Sequence, residues 1–481
     1  MKIVVKKSPN SDCTAMLVGK NASMDGSTMI ARDEDGHDGV KPKLFVTYPA
    51  TDNTGKTFVS TYNGVEVPLP GKACRYTATP NADQSDGIWD EQGINEYNVG
   101  MSATETEFTN ARVLGYDPLV EAGIDEDAMV TLVLPYIKSA REGVARLGAL
   151  VEKYGTGETN GIAFNDHDEV WYFETGGGHQ WVAVRIPDDC YAIAPNIMCI
   201  EDIKFDDPDN YMYATTIKDF VAENHLNPNP DTFNFRNIFG TKDEADAYYN
   251  TPRSWYGQKL FTPDLEQEPT SQEIPFCQHA NRKIAVEDVE FFLSSHYNGT
   301  PYDPFDTYAS GTEKEQSRFR SIALDRNHCA CILQIRNGVP AEVAGIQWIN
   351  LGFYAYSPFV PFYTNNNETP ANYQIADEDV SLNSAYWLYK SLQVVVEPHY
   401  HQFINQVNEY RDNAQSYALG QIKATDAAVA GQTGAAATAA LTAANLATAA
   451  AVTKQTEKLL SDLVKQTLLS SKYRWDRGQN L

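Results

Sequence analysis

Cys13, Arg32 and Asp35 place a thiol, a guanidinium and a carboxylate in one short stretch of chain. A thiol with a pKa of about 8.5 needs only modest help to become a nucleophilic thiolate. The chemistry on offer is acyl transfer through sulfur. Two apolar runs, residues 15–18 and 29–31, flank a segment rich in Asn, Ser, Asp and Gly. That pattern predicts a β-hairpin with Asp25 and Gly26 in the turn. A hairpin returns the chain on itself and brings Arg32 and Asp35 back beside Cys13. Spacing alone leaves a second reading open, in which Cys13 is a small buried hydrophobe and Arg32 and Asp35 form a surface ion pair.

The order of residues goes further. The stretch reads Cys-Thr-x-x-Leu-Val-Gly-Lys-x-Ala-Ser-x-Asp-Gly-Ser-Thr-x-Ile-Ala-Arg-x-Glu-Asp. It resembles the start of the dipeptidase A-type cysteine peptidases, which are N-terminal-nucleophile hydrolases related to secernins, choloylglycine hydrolases and penicillin V acylases. The resemblance implies that Cys13 is the nucleophile and the first residue of a mature chain, with its own α-amino group taking the thiol proton. A free α-amine titrates at about 8, so it can act as a base near neutral pH. Residues 1–12 would then be a propeptide, removed when the Cys13 thiol attacks the Asp12 carbonyl.

The same resemblance implies further site residues. Asn196, at a strand end after Pro195, is expected to hold an oxyanion through its amide. The bile-salt enzymes place an oxyanion-binding Asn where Ser102 stands here, and a serine there can still donate a hydrogen bond. An active-site Arg is expected at the start of a late strand, with Arg320 the better aligned and Arg318 the alternative. Asp35 can pair with an ammonium and that Arg with a carboxylate, a reason for short substrates with both ends charged.

Several elements must position these groups. Residues 87–105 predict a hairpin bending at Asn95 and Glu96. Residues 126–154 predict one long helix, because Val130, Val133, Leu134, Ile137, Ala140, Val144, Leu147 and Val151 recur at three- and four-residue steps. Pro135 would kink it and Gly155 would end it. Residues 161–200 read as strands joined by turns; the glycines at 176–178 form a turn, since no Gly-Lys-Ser/Thr follows. Residues 206–275 are expected as surface helices and loops around a substrate entrance, and residues 286–296 as a short helix. From residue 381 the pattern is helical, with an Ala- and Thr-rich run broken by Gly431 and Gly434. The resemblance implies an α+β fold, a four-layer α/β/β/α sandwich. Its domain would span residues 13–380, with a helical C-terminal extension over residues 381–481.

Composition bounds the rest. The 481 residues are 42% hydrophobic and 11% aromatic, enough for a large core. A net charge of -26 repels nucleic acid and anionic membranes. Seven cysteines without CxxC spacing predict reduced thiols and a cytoplasmic address. The first residues lack the apolar run of a signal peptide. Thr, Asn and Gln in the Ala-rich tail argue against a membrane span. His399 and His401 are the only close histidine pair and no His-Glu-x-x-His occurs, so no metal or cofactor is expected. The expected activity is dipeptide hydrolysis by a homo-oligomer. A bile-salt or penicillin V amidase of the same fold and a non-enzymatic secernin-like protein are the rivals.

Overall fold

A computed structural model of the protein describes residues 13–36, 41–105, 107–376 and 379–470. The twelve residues expected as a propeptide lie outside the described residues. Thirteen strands build two main sheets: β1 (Thr14–Val18), β2 (Thr28–Asp35), β3 (Gln92–Ile94), β4 (Gly100–Glu105), β5 (Asn160–Asn165), β6 (Val170–Gly176), β7 (Gln180–Ile186), β8 (Cys190–Ala194), β9 (Tyr211–Tyr213), β10 (Cys277–His279), β11 (Asn327–Ile335), β12 (Gly345–Leu351) and β13 (Val360–Tyr363). The first sheet has seven strands in the order β10-β8-β1-β2-β11-β12-β13, and the second has six in the order β9-β7-β6-β5-β4-β3. Every pairing within them is antiparallel.

Period-two alternation along β1 and β2 explains the layering. Ala15, Leu17 and Ile30 belong to one buried cluster, which reaches the second sheet through Ala163 and Tyr172. Met16, Val18, Met29 and Ala31 belong to another, shared with helical residues Val289, Phe292, Leu388 and Leu392. Between the sheets, Asn165 donates to Thr28 O and Leu333 O at 3.3 and 3.1 Å. The result is four layers, helix on sheet on sheet on helix.

The helix expected over residues 126–154 is two helices, α1 (Glu126–Val133) and α2 (Ala140–Tyr154). Pro135 sits in a single 3-10 turn, and Ile137 is extended. Pro135 lacks an N–H for the helical ladder, and its carbonyl instead accepts from Cys74 N at 2.9 Å. Ser139 restarts the helix by accepting from Glu142 N at 3.1 Å. α2 lies close against the second sheet, so close that a Cβ at Gly148 would come 2.2 Å from Trp181.

The outer face of the first sheet carries α3 (Thr251–Phe261), α4 (Val286–Leu293), α5 (Ala385–Val396), α6 (Tyr400–Val429) and α7 (Gly434–Ser470). Gly431 and Gly434, both at positive φ, make the α6–α7 turn. α7 is long and apolar enough to cross a membrane, yet Leu441, Ala449, Val452 and Leu463 are buried against the body. Asn445 donates to Tyr363 O at 2.8 Å and accepts from Tyr363 N at 2.9 Å. An α7 side chain thus satisfies the outer edge of β13 as a neighbouring strand would.

Candidate active site

The hairpin forms as β1 and β2, with Thr14 opposite Asp33 and Ala15 opposite Arg32. The chain reverses through residues 19–27, where Asp25 accepts from Ser27 N at 3.0 Å and Gly26 takes a φ of 79°. Alternation then divides four consecutive charges of β2 between two faces. Arg32 and Glu34 point between the sheets, while Asp33 and Asp35 point to the helical layer.

On the inter-sheet side, Arg32 Nη2 lies 3.0 Å from Cys13 Sγ. The same nitrogen donates to Glu126 at the start of α1 at 2.7 Å, and Nη1 donates to Glu91. Had the helix run unbroken through Pro135, Glu126 and the sheet-packing face of α2 would share one straight axis. Burial pushes the Cys13 thiol well up, opposed chiefly by Arg32. Burial opposes the Arg32 charge too, yet Cys13, Glu91 and Glu126 hold its pKa well above the ordinary value. Burial and the neighbouring Glu91 push the Glu126 carboxyl well up, against the pull of Arg32. Glu91 itself adopts a φ of 57°, an uncommon region for a residue with a Cβ. Behind it, Lys43 pairs with Glu34 at 3.0 Å.

On the other side, Arg253 from α3 ties the site together. It donates to Cys13 O at 2.7 Å, Thr14 Oγ1 at 2.9 Å, and Asn196 Oδ1 and Asn250 Oδ1 at 2.6 Å each. A guanidinium only donates, so the Asn196 amide must turn its oxygen toward Arg253 and its NH2 away. Asp33 accepts from Thr14 N and, at 3.1 Å, from Tyr354 Oη. Burial lifts Asp33 to about 6, against the pull of Arg320 and Arg253. Burial and the Arg320 charge bring Arg253 down to about 9.

The expected residues separate into three groups. Cys13, Arg32 and Asn196 come together around the start of β1. Asp35 and Arg320 lie beside them but bond each other at 2.6 Å. Asp35 was expected to pair with a substrate or Cys13 ammonium and Arg320 or Arg318 with a carboxylate; in this structure Asp35 and Arg320 pair with each other. Arg320 precedes β11 in a loop rather than starting the strand. Ser102 and Arg318 form the third group. Ser102, in β4 opposite Gln92 and Ala163, is buried with no hydrogen-bond partner for its hydroxyl among the described residues. Arg318 is exposed and lies over the rings of Phe319 and Tyr248. The described contacts place neither against Cys13.

Sequence reasoning missed Asp33, Glu91, Glu126, Arg253 and Tyr354. Strand alternation is a signal for Asp33, since it must face opposite Arg32. No local signal marks Arg253, which meets Cys13 from 240 positions away.

This geometry can be set beside known proteins. The chain is 49% identical to a probable dipeptidase of Latilactobacillus sakei over 98% of both chains. It is 48% identical to probable dipeptidase B of Lactococcus lactis, covering 84% of this chain and 85% of the relative. Dipeptidase A of Lactobacillus helveticus is 44% identical over 85% of this chain and 86% of its own. A solved penicillin V acylase from Agrobacterium tumefaciens aligns over 73% of this chain and 86% of its own, at 11% identity and a TM-score of 0.33. The model of peptidase family C69 matches residues 12–413, from the residue before Cys13 into α6. The chain that gathers Arg32, Asn196 and Arg253 around Cys13 belongs to peptidase family C69.

Proposed function

We infer that this protein is a cysteine-type dipeptidase with Cys13 as its nucleophile. The observation that carries the reading is the Arg32 guanidinium 3.0 Å from Cys13 Sγ in a buried corner. The names of its relatives support a dipeptide substrate.

The residues support the following sequence. The Cys13 thiol attacks the Asp12 carbonyl, and water cleaves the resulting thioester, leaving Cys13 with a free α-amine. That amine then takes the thiol proton, and the thiolate attacks the dipeptide carbonyl. The Asn196 amide N–H groups face the developing oxyanion. The C–N bond breaks as the ammonium returns its proton to the leaving amine. Water attacks the thioester, the carboxylic acid departs and the thiol is restored. Arg253 positions Asn196 and the Cys13 carbonyl throughout.

Seven free thiols support an intracellular address. The net charge of -26 supports small peptides over nucleic acid or anionic membranes as partners.

Cys13→Ala is expected to abolish turnover and to keep residues 1–12 attached by mass spectrometry, while Cys13→Ser processes slowly. Wild-type dipeptide hydrolysis by Cys13→Ala would overturn the assignment. Free dipeptides are expected to outrun tripeptides, N-acetyl dipeptides, and bile-salt and penicillin V amides. Faster turnover of the blocked amides would move the protein to the acylases.

A further inference from the structure

At the far end of β8 from Asn196, a second group of reactive side chains gathers at the edge of the first sheet. Cys190 opens β8 and sits directly opposite His279, the last residue of the edge strand β10. Asp189 precedes Cys190. Cys190 Sγ lies 3.6 Å from His279 Nδ1 and 3.7 Å from Asp189 Oδ1, and His279 Nδ1 lies 3.4 Å from Asp189 Oδ2. The Cys190 residue is 4% exposed, whereas the His279 and Asp189 side chains are 73% and 62% exposed. The thiol forms the floor of the group, and the imidazole and carboxylate rise to solvent.

One donor atom from each residue, a sulfur, a ring nitrogen and a carboxylate oxygen, lies within 4.8 Å of the others. Tetrahedral zinc with ordinary bond lengths would draw these donors to about 3.5 Å of one another, which asks the exposed His279 ring to turn, since Cys190 Sγ now lies 3.6 and 3.8 Å from its two nitrogens. A nucleophilic triad fits less well. A relay needs the imidazole between thiol and carboxylate, one on each ring nitrogen. Here both neighbours crowd Nδ1, and Nε2 lies 3.8 Å from the same sulfur.

We propose that Asp189, Cys190 and His279 form a zinc-binding site that clips the edge strand β10 to β8, remote from Cys13. Sulfur, imidazole and carboxylate suit a borderline-soft divalent cation, and water completes the tetrahedron. Binding releases the Cys190 proton to solvent and changes no oxidation state. Affinity is therefore expected to rise about tenfold per pH unit while the thiol is protonated in the free site.

The test is titration of the full-length chain with Co2+ as a spectroscopic probe, followed by Zn2+ competition. One equivalent of Co2+ should produce a sulfur-to-metal charge-transfer band, which Zn2+ abolishes. Cys190→Ser should lose the band and His279→Ala should weaken binding at least tenfold, while Cys13→Ser keeps it. His279 is exposed, so its variant reports on the site without threatening the fold, and circular dichroism checks this. Both edge variants should keep dipeptide turnover. Absence of a stoichiometric band, or its persistence in both Cys190→Ser and His279→Ala, would overturn the proposal.

Discussion

Arg32 holds one thiol and two carboxylates with a single planar group. Lysine offers a point charge and cannot reach all three. Arg32→Lys is expected to lower kcat/KM by about 100-fold, the scale of losing one preorganised charge contact. Steady-state kinetics on a free dipeptide measure it, and a loss below about threefold would deny Arg32 that role. The residues of the site were unequally legible in the sequence. Cys13, Arg32 and Asp35 share one hairpin, so local pattern was enough to put them at one end of a strand pair. Glu91, Glu126, Arg253 and Tyr354 arrive from separate elements, and only tertiary packing selects them. Arg320 shows a subtler limit. It reaches Asp35 from the loop that leads into β11, whose first residue Asn327 pairs with Asp35, and neither that loop's path nor their mutual ion pair is encoded in spacing.

At the scale of elements, period decided what could be read. Strands β5 to β8 were legible because alternating apolar runs end in Gly, Asp and Pro turns. The long helix was over-read, because apolar residues at helical spacing continue through Pro135 although the backbone cannot. Residues 206–275 were taken as surroundings of the site, yet α3 within them delivers Arg253 into it. Gly148 in α2 gives a test in which two effects compete. Replacing a mid-helix glycine with alanine normally stabilises by about 1 kcal/mol. Here the new methyl meets Trp181, and overpacking costs typically about 1–3 kcal/mol. Gly148→Ala is therefore expected to lower the urea midpoint; a rise would mean Trp181 yields freely.

For the whole molecule, pH is the revealing variable. Burial lifts Glu174 from 4.5 to about 7 and Asp127 from 3.8 to about 7. The folded chain keeps these protons where the unfolded chain releases them. Their stabilising contribution is full below the unfolded values and disappears as pH rises through about 7. Glu34 moves the opposite way: burial opposes its charge, but Lys43 and His328 hold it well below the carboxylate range, so its contribution is full above the ordinary carboxylate value and is lost progressively as pH falls below it. Calorimetry should therefore find a higher Tm near pH 5 than near pH 8. Glu174→Gln should narrow the gap, removing roughly 2–3 kcal/mol of pH dependence; an unchanged gap would show that Glu174 is not its source. Strand order also sets a clock on the chain's reactivity. Cys13 leaves the ribosome early, but β11, Arg320 and Tyr354 follow more than three hundred residues later. At about 5–20 residues per second, translation takes tens of seconds to supply them. Until then β2 lacks its neighbour on one side, and Arg320 and Tyr354 are not yet present beside Asp33 and Asp35. On the role proposed for Cys13, its thiol is thus made first and enclosed last, when most of the nascent chain is already built.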